Sequence, residues 1–257
     1  MERLLQGDCL QAMDELIKEG VQVDAIITDP PYGTTACKWD SIIPFDAMWE
    51  RLNKLIKPNG AIVLFGSEPF SSALRMSNIK NYKYDWYWNK GQGLNFVSAK
   101  YRPLNDTECI SIFSDNKINY YPIMEKAIQA NVRPINKGSS SSDIHGSIKQ
   151  AKSAENYDSK KRYPKTSINI NSRGAECNPL NRLHPTQKPV KLMEYLIKTY
   201  TNEGETVLDF TMGSGSTGVA CILNNRNFIG IELDEGYFNI ATERIEEAKK
   251  SIQLSLF

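Results

Sequence analysis

The order of apolar and polar residues divides the chain into alternating strand-like and helix-like segments. Continuous apolar runs bounded by Gly, Pro or Asp predict buried strands at 3–6, 23–28, 61–65, 82–88, 108–113, 206–208 and 228–232. Apolar residues spaced three and four apart predict helices at 10–17, 45–56, 68–77, 192–200, 220–223 and 235–250. Strands that alternate with helices are typical of an α/β fold with a mostly parallel sheet.

This alternation fades between residues 115 and 183. The stretch has twelve Lys and Arg against six Asp and Glu, a net +6, which leaves −5 for the rest of a chain whose total is +1. An unstructured stretch of this length is improbable inside a compact domain. We therefore predict a basic insertion at 115–183 between two halves of one domain, 1–114 and 184–257. A basic segment suggests contact with a polyanion, and a solvated basic loop is the alternative.

Composition excludes several classes of protein. Five scattered cysteines without a CxxC pair argue against a disulfide framework and a zinc site, and the two histidines are far apart in the sequence, so we expect no metal. The N-terminal segment is too short and polar for a signal peptide. No apolar run approaches the roughly 20 residues that cross a bilayer. We expect a cytoplasmic protein with no membrane partner.

The first candidate site is Asp29-Pro30-Pro31-Tyr32, which follows the apolar run VDAIIT. Open α/β sheets bind ligands beyond the carboxyl ends of their strands. Two prolines remove two amide donors, which leaves a nearby carbonyl free to accept a hydrogen bond. The carboxylate of Asp29 and the ring of Tyr32 complete a group suited to a planar ligand that carries an NH2. A tight turn that only ends a strand is the alternative interpretation.

The second candidate site lies in residues 205–232, which read as strand, Gly-rich turn, helix and strand, with Glu232 at the end. Such a unit binds nucleosides, because glycine allows close backbone approach and the acid accepts from ribose hydroxyls. The spacing Gly213-x-Gly215-x-x-Gly218 also fits a dinucleotide site, so an NAD-dependent oxidoreductase is an alternative. Asp8 could instead bind an exocyclic amine, and Lys188 could bind a carboxylate. S-adenosylmethionine has both groups, on its adenine and on its amino-acid tail.

Five segments together resemble the amino-methyltransferases of DNA, in the motif order of the β class. They are Gly7-Asp8, TDPPYGT (28–34), HPTQKP (184–189), LDFTMGSGSTGVA (208–220) and IGIELD (229–234). The resemblance implies a Rossmann-like S-adenosylmethionine-dependent methyltransferase fold with a mostly parallel seven-stranded sheet. The motif order is circularly permuted, with the catalytic tetrapeptide first and the cofactor glycines last. The resemblance covers nearly all of the chain except 115–183, where this family has its target-recognition region.

The resemblance also implies roles for individual residues. Asp29 and the carbonyl of Pro30 would accept hydrogen bonds from the target amine, Pro31 completes the catalytic tetrapeptide, and Tyr32 would stack on the extruded base. The residues expected to bind S-adenosylmethionine are Asp8, Cys9, Thr186, Lys188, Asp209, Thr211, Gly213, Ser214, Gly215, Thr217 and Glu232. Where the family usually reads Asp-Pro-Phe-x-Gly-x-Gly, Thr211 stands in place of the Phe that meets the cofactor.

The resemblance implies methyl transfer to the exocyclic N6 amine of a flipped-out adenine, since an acidic first residue in the tetrapeptide is typical of the adenine enzymes. Cytosine-N4 methylation is the alternative, and an inactive DNA-binding module is the non-enzyme alternative. Protein-glutamine methyltransferases have Asn-Pro-Pro-Tyr and place the glycines first, which disfavours them. The expected partner is double-stranded DNA, with a second copy of the chain and a cognate restriction endonuclease as further candidates.

Overall fold

The computed structural model describes residues 1–33, 41–126, 160–172, 183–184 and 186–255, and the backbone of 141–142 and 146–147. It divides into two compact units, one formed by 1–121 with 166–257 and the other by 122–165. The described strands, in chain order, are β1 Glu2–Gln6, β2 Val23–Thr28, β3 Ile56–Gly66, β4 Tyr82–Leu94, β5 Asn105–Phe113, β6 Glu125–Lys126, β7 Ser141–Ser142, β8 Gly146–Ser147, β9 Lys161–Arg162, β10 Ser167–Asn169, β11 Thr206–Asp209 and β12 Asn227–Glu232.

The larger unit is built on one mixed sheet in the order β1-β12-β11-β2-β3-β5-β4-β10. All neighbouring pairs are parallel except those of β5, which runs antiparallel to both β3 and β4. The sheet therefore has eight strands, and the expected number of seven was wrong. The additional strand is β10, which pairs with Tyr87–Asn89 of β4 and buries Ile168. Its three residues contain one apolar side chain, too little for a sequence pattern.

Helices cover both faces of this sheet. Their bounds are α1 Cys9–Lys18, α2 Phe45–Leu55, α3 Phe70–Ser77, α4 Val190–Tyr200, α5 Ser216–Leu223 and α6 Glu235–Ser255. Side chains of β2 divide between two cores. Ala25 and Ile27 pack with α4, α5 and α6, whereas Ile26 between them packs with α1, α2 and α3, because successive residues of a strand point to opposite faces. Val23 packs on the same side as Ile26, because a register irregularity between Val23 and Ala25 interrupts the alternation. The described residues contain no helix with the length and apolarity needed to span a membrane.

Three strands extend well beyond the predicted runs. In the structure β4 extends to Leu94 and β5 begins at Asn105, so the two strands form a long antiparallel hairpin. The extensions are polar, which is why apolar runs mark only 82–88 and 108–113. Similarly, β3 begins at Ile56, directly after α2, although apolarity predicts only its buried half.

The smaller unit is described only in part. Its β6 pairs with β9 and its β7 with β8, both antiparallel. Much of the predicted basic insertion, namely 127–140, 143–145, 148–159 and 173–182, lies outside the described residues. The expected role of that segment therefore stays a prediction.

Candidate active site

A cavity of about 360 Å³ opens at the carboxyl ends of the parallel strands of the larger unit. All four residues of the tetrapeptide line it, together with nearly all of the predicted cofactor residues. The predicted residues in its lining are Asp8, Cys9, Asp29, Pro30, Pro31, Tyr32, Thr186, Lys188, Asp209, Thr211, Gly213, Ser214, Thr217 and Glu232. Because β2 and β11 are neighbours in the sheet, the two candidate sites meet in one cavity. Gly215 is the predicted residue that does not line it.

Hydrogen-bonded threonines join the ends of β2 and β11. Buried Asp209 accepts hydrogen bonds from the hydroxyl of Thr28 at 2.6 Å and from that of Thr217 at 2.5 Å. Burial raises the pKa of Asp209 to about 6. The Thr211 hydroxyl lies 2.7 Å from that of Thr28 and donates to the carbonyl of Asp29 at 3.1 Å. Thr211 therefore connects the glycine turn directly to the tetrapeptide.

Phe210, the aromatic residue directly before Thr211, packs in the core. Phe210 is fully buried among the side chains that pack against α1 and α2, and it lines the cavity beside Thr211. The glycine turn that follows is held by Glu232, which accepts from the amides of Gly213 at 2.8 Å and Asp234 at 2.9 Å. Burial raises the pKa of Glu232 above its ordinary value. This acid therefore fixes the shape of the turn in addition to lining the cavity.

Gly215 has a packing role at the start of α5. Its φ of +78° lies in the left-handed region, and an added Cβ would lie 2.9 Å from the Cβ of Ala241 and 3.0 Å from its Cα. Glycine is therefore needed here both for the backbone conformation and for the close approach of α6.

We expect Gly215→Ala to lower the free energy of unfolding by about 2–5 kcal/mol, from roughly 1–2 for left-handed backbone and 1–3 for overpacking. Gly20→Ala is the matched control, because Gly20 has a φ of +74° and no atom within 4 Å of an added Cβ. That control should lose only the backbone contribution, about 1–2 kcal/mol. Urea unfolding of both variants measures the difference, and equal losses would contradict the close packing of Gly215 against α6.

The tetrapeptide carboxylate is not isolated. The Nζ of Lys188 lies 2.5 Å from one oxygen of Asp29, and the Tyr32 hydroxyl donates to the other. Behind them, Glu108 of β5 lies 3.0 Å from the Nζ of Lys188 and 3.0 Å from the Tyr32 hydroxyl. The second oxygen of Glu108 pairs with Lys90 at 2.8 Å. Two acids and two lysines thus alternate in a part-buried chain that ends at the cavity.

The pKa values of this chain are shifted by burial and by the neighbouring charges. Burial raises the pKa of Asp29, Lys188 opposes that rise and Glu108 adds to it. For Glu108 the two lysines more than offset burial, so its pKa lies below the ordinary value. Burial lowers the pKa of Lys188, but Asp29 and Glu108 together raise it above the usual range. Lys188 is therefore charged at neutral pH, and Asp29 is the acid that protonates more easily.

Sequence reasoning missed part of this arrangement. The prediction places Lys188 opposite a cofactor carboxylate, whereas in the structure it is paired with Asp29 and Glu108. Glu108 and Lys90 were not predicted, although a charged residue at the start of the apolar run ECISIF is a usable signal. His184, which the sequence analysis considered only as a metal ligand, is buried, and its ring centroid lies 4.1 Å from that of Tyr237 in the cavity wall.

Comparison with known proteins agrees with this geometry. The family model for N6/N4 DNA methylases matches residues 23–243. The type II methyltransferase M.HpaI of Haemophilus parainfluenzae is 28% identical over 95% of this chain and 74% of its own length. The crystal structure of an M1.HpyAVI–SAM complex is 28% identical, with a TM-score of 0.66 over 95% of this chain and 99% of that one. The cytosine-N4-specific PvuII DNA methyltransferase shares the fold, with 18% identity and a TM-score of 0.63 over 98% and 92%.

A mixed, mostly parallel sheet with a nucleoside-type cavity beside a DPPY tetrapeptide defines a Rossmann-like methyltransferase. The chain belongs to the N6/N4 DNA methylase family and is a DNA methyltransferase. The NAD-dependent oxidoreductase that the glycine spacing left open is thereby excluded.

Proposed function

We propose that this protein transfers a methyl group from S-adenosylmethionine to the N6 amine of an adenine flipped out of double-stranded DNA. The observation that carries the proposal is the position of Asp29 and Pro30 at the end of β2, in the same cavity as the glycine turn after β11. This arrangement sets hydrogen-bond acceptors for an amine beside a site for a nucleoside. The acidic first residue of the tetrapeptide favours adenine over cytosine.

The cofactor is S-adenosylmethionine, which supplies a methyl group already activated by a positive sulfur. Asp8 and Glu232 lie at the ends of β1 and β12, where they suit its adenine and ribose. Gly213, with no side chain and a φ of +53°, allows the ligand to approach the backbone. The bound S-adenosylmethionine of the M1.HpyAVI structure supports this assignment.

The protein residues act mainly by positioning and electrostatics. The lone pair of the target amine is delocalised into the ring, and acceptors at Asp29 and Pro30 favour a more tetrahedral nitrogen. The transfer would be direct, without a covalent enzyme intermediate: the bond from nitrogen to the methyl carbon forms as the bond from that carbon to sulfur breaks, S-adenosylhomocysteine leaves with the electron pair, and the nitrogen then loses one proton to solvent. To reach Asp29, the amine must replace Lys188 or Tyr32. Glu108 makes this exchange less costly, because it keeps a charged acceptor within 3.0 Å of both groups.

Base flipping is required, because the target amine cannot be reached inside a duplex and extrusion costs a few kcal/mol. Tyr32 lines the cavity, and stacking of the base on its ring, worth about 1–3 kcal/mol, would offset part of that cost. The basic segment 115–183 is the proposed target-recognition region. The type II designation of M.HpaI supports a restriction–modification role. A cognate endonuclease is a candidate partner by family resemblance alone. A second copy of the chain is a further candidate partner, by family resemblance alone.

The product of methylation tests the proposal. We expect plasmid DNA incubated with the protein and S-adenosylmethionine labelled in its methyl group to yield labelled N6-methyldeoxyadenosine after digestion to nucleosides and mass analysis. Sequencing of modified bases in DNA from cells that express the chain should place the label at one short target sequence.

For the sequencing experiment, DNA from cells that express Asp29→Asn gives the background level of modified bases. Labelled N4-methyldeoxycytidine would overturn the choice of base and keep the reaction class. No labelled nucleoside, with S-adenosylmethionine still bound, would indicate a DNA-binding module without activity.

A further inference from the structure

The connection between β4 and β5, residues 95–104, exposes large apolar side chains. Phe96 is 66% exposed, Val97 99% and Tyr101 88%. Single exposed apolar residues are ordinary, but a group of them within six positions is typical of an interaction surface. We call residues 95–104 the hairpin tip.

The hairpin tip has a defined shape. A 3-10 turn at Phe96–Ser98 is closed by the amide of Ser98, which donates to the carbonyl of Asn95 at 3.0 Å. Arg102 donates from Nε to the Ser98 hydroxyl at 3.1 Å. At the base of the tip, Leu104 packs so closely on Gly93 that an added Cβ there would lie 2.6 Å from the Leu104 Cβ. A fixed surface of this kind loses little conformational entropy on binding.

The hairpin tip lies at the edge of the sheet that carries the cavity. Because β5 runs antiparallel to both β3 and β4, the turn that joins β4 to β5 is at the carboxyl end of β3. Its base reaches the active site through Glu108, which contacts Lys188, the partner of Asp29. Leu104 is four residues from Glu108, about 13 Å along an extended strand. The tip therefore projects outward from the tetrapeptide side of the cavity.

The charge of the hairpin tip indicates the chemistry of its binding partner. Residues 95–104 contain Lys100 and Arg102 and no Asp or Glu. Such a surface complements a duplex from which one base has been flipped out. Its cations can contact the phosphates on the outside of the duplex, and its apolar side chains can contact the bases left unstacked in the interior. Proteins that kink DNA use apolar wedges between base steps in this way.

We propose that the hairpin tip contacts the DNA duplex beside the extruded base, with Phe96 and Val97 against the bases and Lys100 and Arg102 at phosphates. This surface is separate in the sequence from the basic segment 115–183. The inference rests on the proposed function, because a flipped base supplies the opening that the apolar residues occupy.

The double variant Phe96→Ala/Val97→Ala tests the apolar contact. On a duplex that contains the sequenced target, we expect kcat/KM to fall about 10–100-fold, the range set by loss of one stacking contact. The loss should be smaller when the base opposite the target adenine is missing, because an unpaired base is cheaper to extrude. Binding of S-adenosylmethionine, measured by calorimetry, should stay unchanged.

The double variant Lys100→Ala/Arg102→Ala tests the phosphate contacts without requiring methyl transfer. Fluorescence anisotropy on a duplex of mixed sequence should show the slope of log K against log salt reduced by about one for each lost contact. This binding measurement separates the hairpin proposal from the proposed function, which would fail in the methylation assay instead.

Controls of the same chemistry lie at the opposite end of the hairpin. Met76 and Ile79 are 69% and 57% exposed just before β4, and Lys80 and Lys83 are exposed beside them. Met76→Ala/Ile79→Ala and Lys80→Ala/Lys83→Ala should match the wild type in both assays. The proposal is overturned if the tip variants behave like these controls, or if the apolar variant loses equal activity on paired and unpaired targets.

Discussion

Replacement of Asp29 by Asn should lower kcat for methyl transfer by about 10²–10³-fold, the usual effect of removing one preorganised polar group at a reacting atom. Asn keeps the shape of the side chain but offers one oxygen where Asp29 offers two, and it presents an NH2 group to an incoming amine. Single-turnover assays with tritiated S-adenosylmethionine measure the rate. Calorimetry should show cofactor affinity within a few-fold of wild type, because Asp8 and Glu232, which are proposed to bind the adenine and ribose, lie at the ends of β1 and β12.

Asp24→Asn is the matched control for this substitution. Asp24 lies on the same strand at its other end, where it pairs with Lys57 at 2.8 Å and accepts from the amide of Thr206 at 2.9 Å. Its replacement should cost about 1–3 kcal/mol of stability and leave kcat unchanged. If Asp29→Asn retained kcat within ten-fold of wild type, the assignment of Asp29 as amine acceptor would be wrong.

The sequence predicts most of the sheet because its buried strands are short continuous apolar runs. VDAIIT predicts β2 with the bounds that the structure has, because both faces of this strand are covered by helices. It does not predict β10, in which Ile168 alone is apolar, since that strand exists through pairing with the edge of β4. Pairing between distant segments leaves little trace in local periodicity.

The candidate site likewise contains residues that the sequence predicts and contacts that it does not. Asp29 and Glu232 could be predicted because each stands at the end of an apolar run, and strand ends of a parallel sheet converge. The contact between Glu108 and Lys188 could not, because β5 is antiparallel and brings the start of its run, not the end, to the cavity. The cofactor role of Gly215, which the family resemblance implies, stays a prediction. Its close approach to α6, a helix 20 or more residues away in the chain, could not be predicted from the local glycine spacing.

The charge of Lys188 has a consequence for the pH dependence of the reaction. Asp29 is the stronger acceptor for the amine when it is ionised, because protonation places a hydrogen on one of its two oxygens. Burial raises its pKa, and Lys188 counteracts that rise from 2.5 Å. Activity should therefore fall as the pH drops through the pKa of Asp29. We call this fall the acid limb of the pH profile, and the pH at which it occurs depends on Lys188.

Replacement of Lys188 by Met should move the acid limb of kcat to a pH about 1–3 higher, because an adjacent cation lowers the pKa of a carboxylate by that much. Without the lysine, Asp29 and Glu108 face each other around the Tyr32 hydroxyl, so one of them holds a proton more strongly. At a fixed pH below the new limb, the variant should be slower than the wild type by about ten-fold for every pH unit by which the limb has moved. At a pH above it, much of the loss in kcat should be recovered. Profiles of kcat against pH at saturating cofactor measure the displacement of the limb.

Two variants separate this electrostatic role from others. Lys188→Arg keeps the positive charge and should leave the acid limb near its wild-type position. Lys191→Met removes a charge from an exposed site in the first turn of α4 and should change neither kcat nor the limb. If Lys188 acted only on a cofactor carboxylate, Lys188→Met would raise the KM for S-adenosylmethionine and leave the limb in place. That outcome would overturn the role of Lys188 in holding Asp29 ionised, because a cofactor contact alone cannot set the pKa of the acid that accepts the amine.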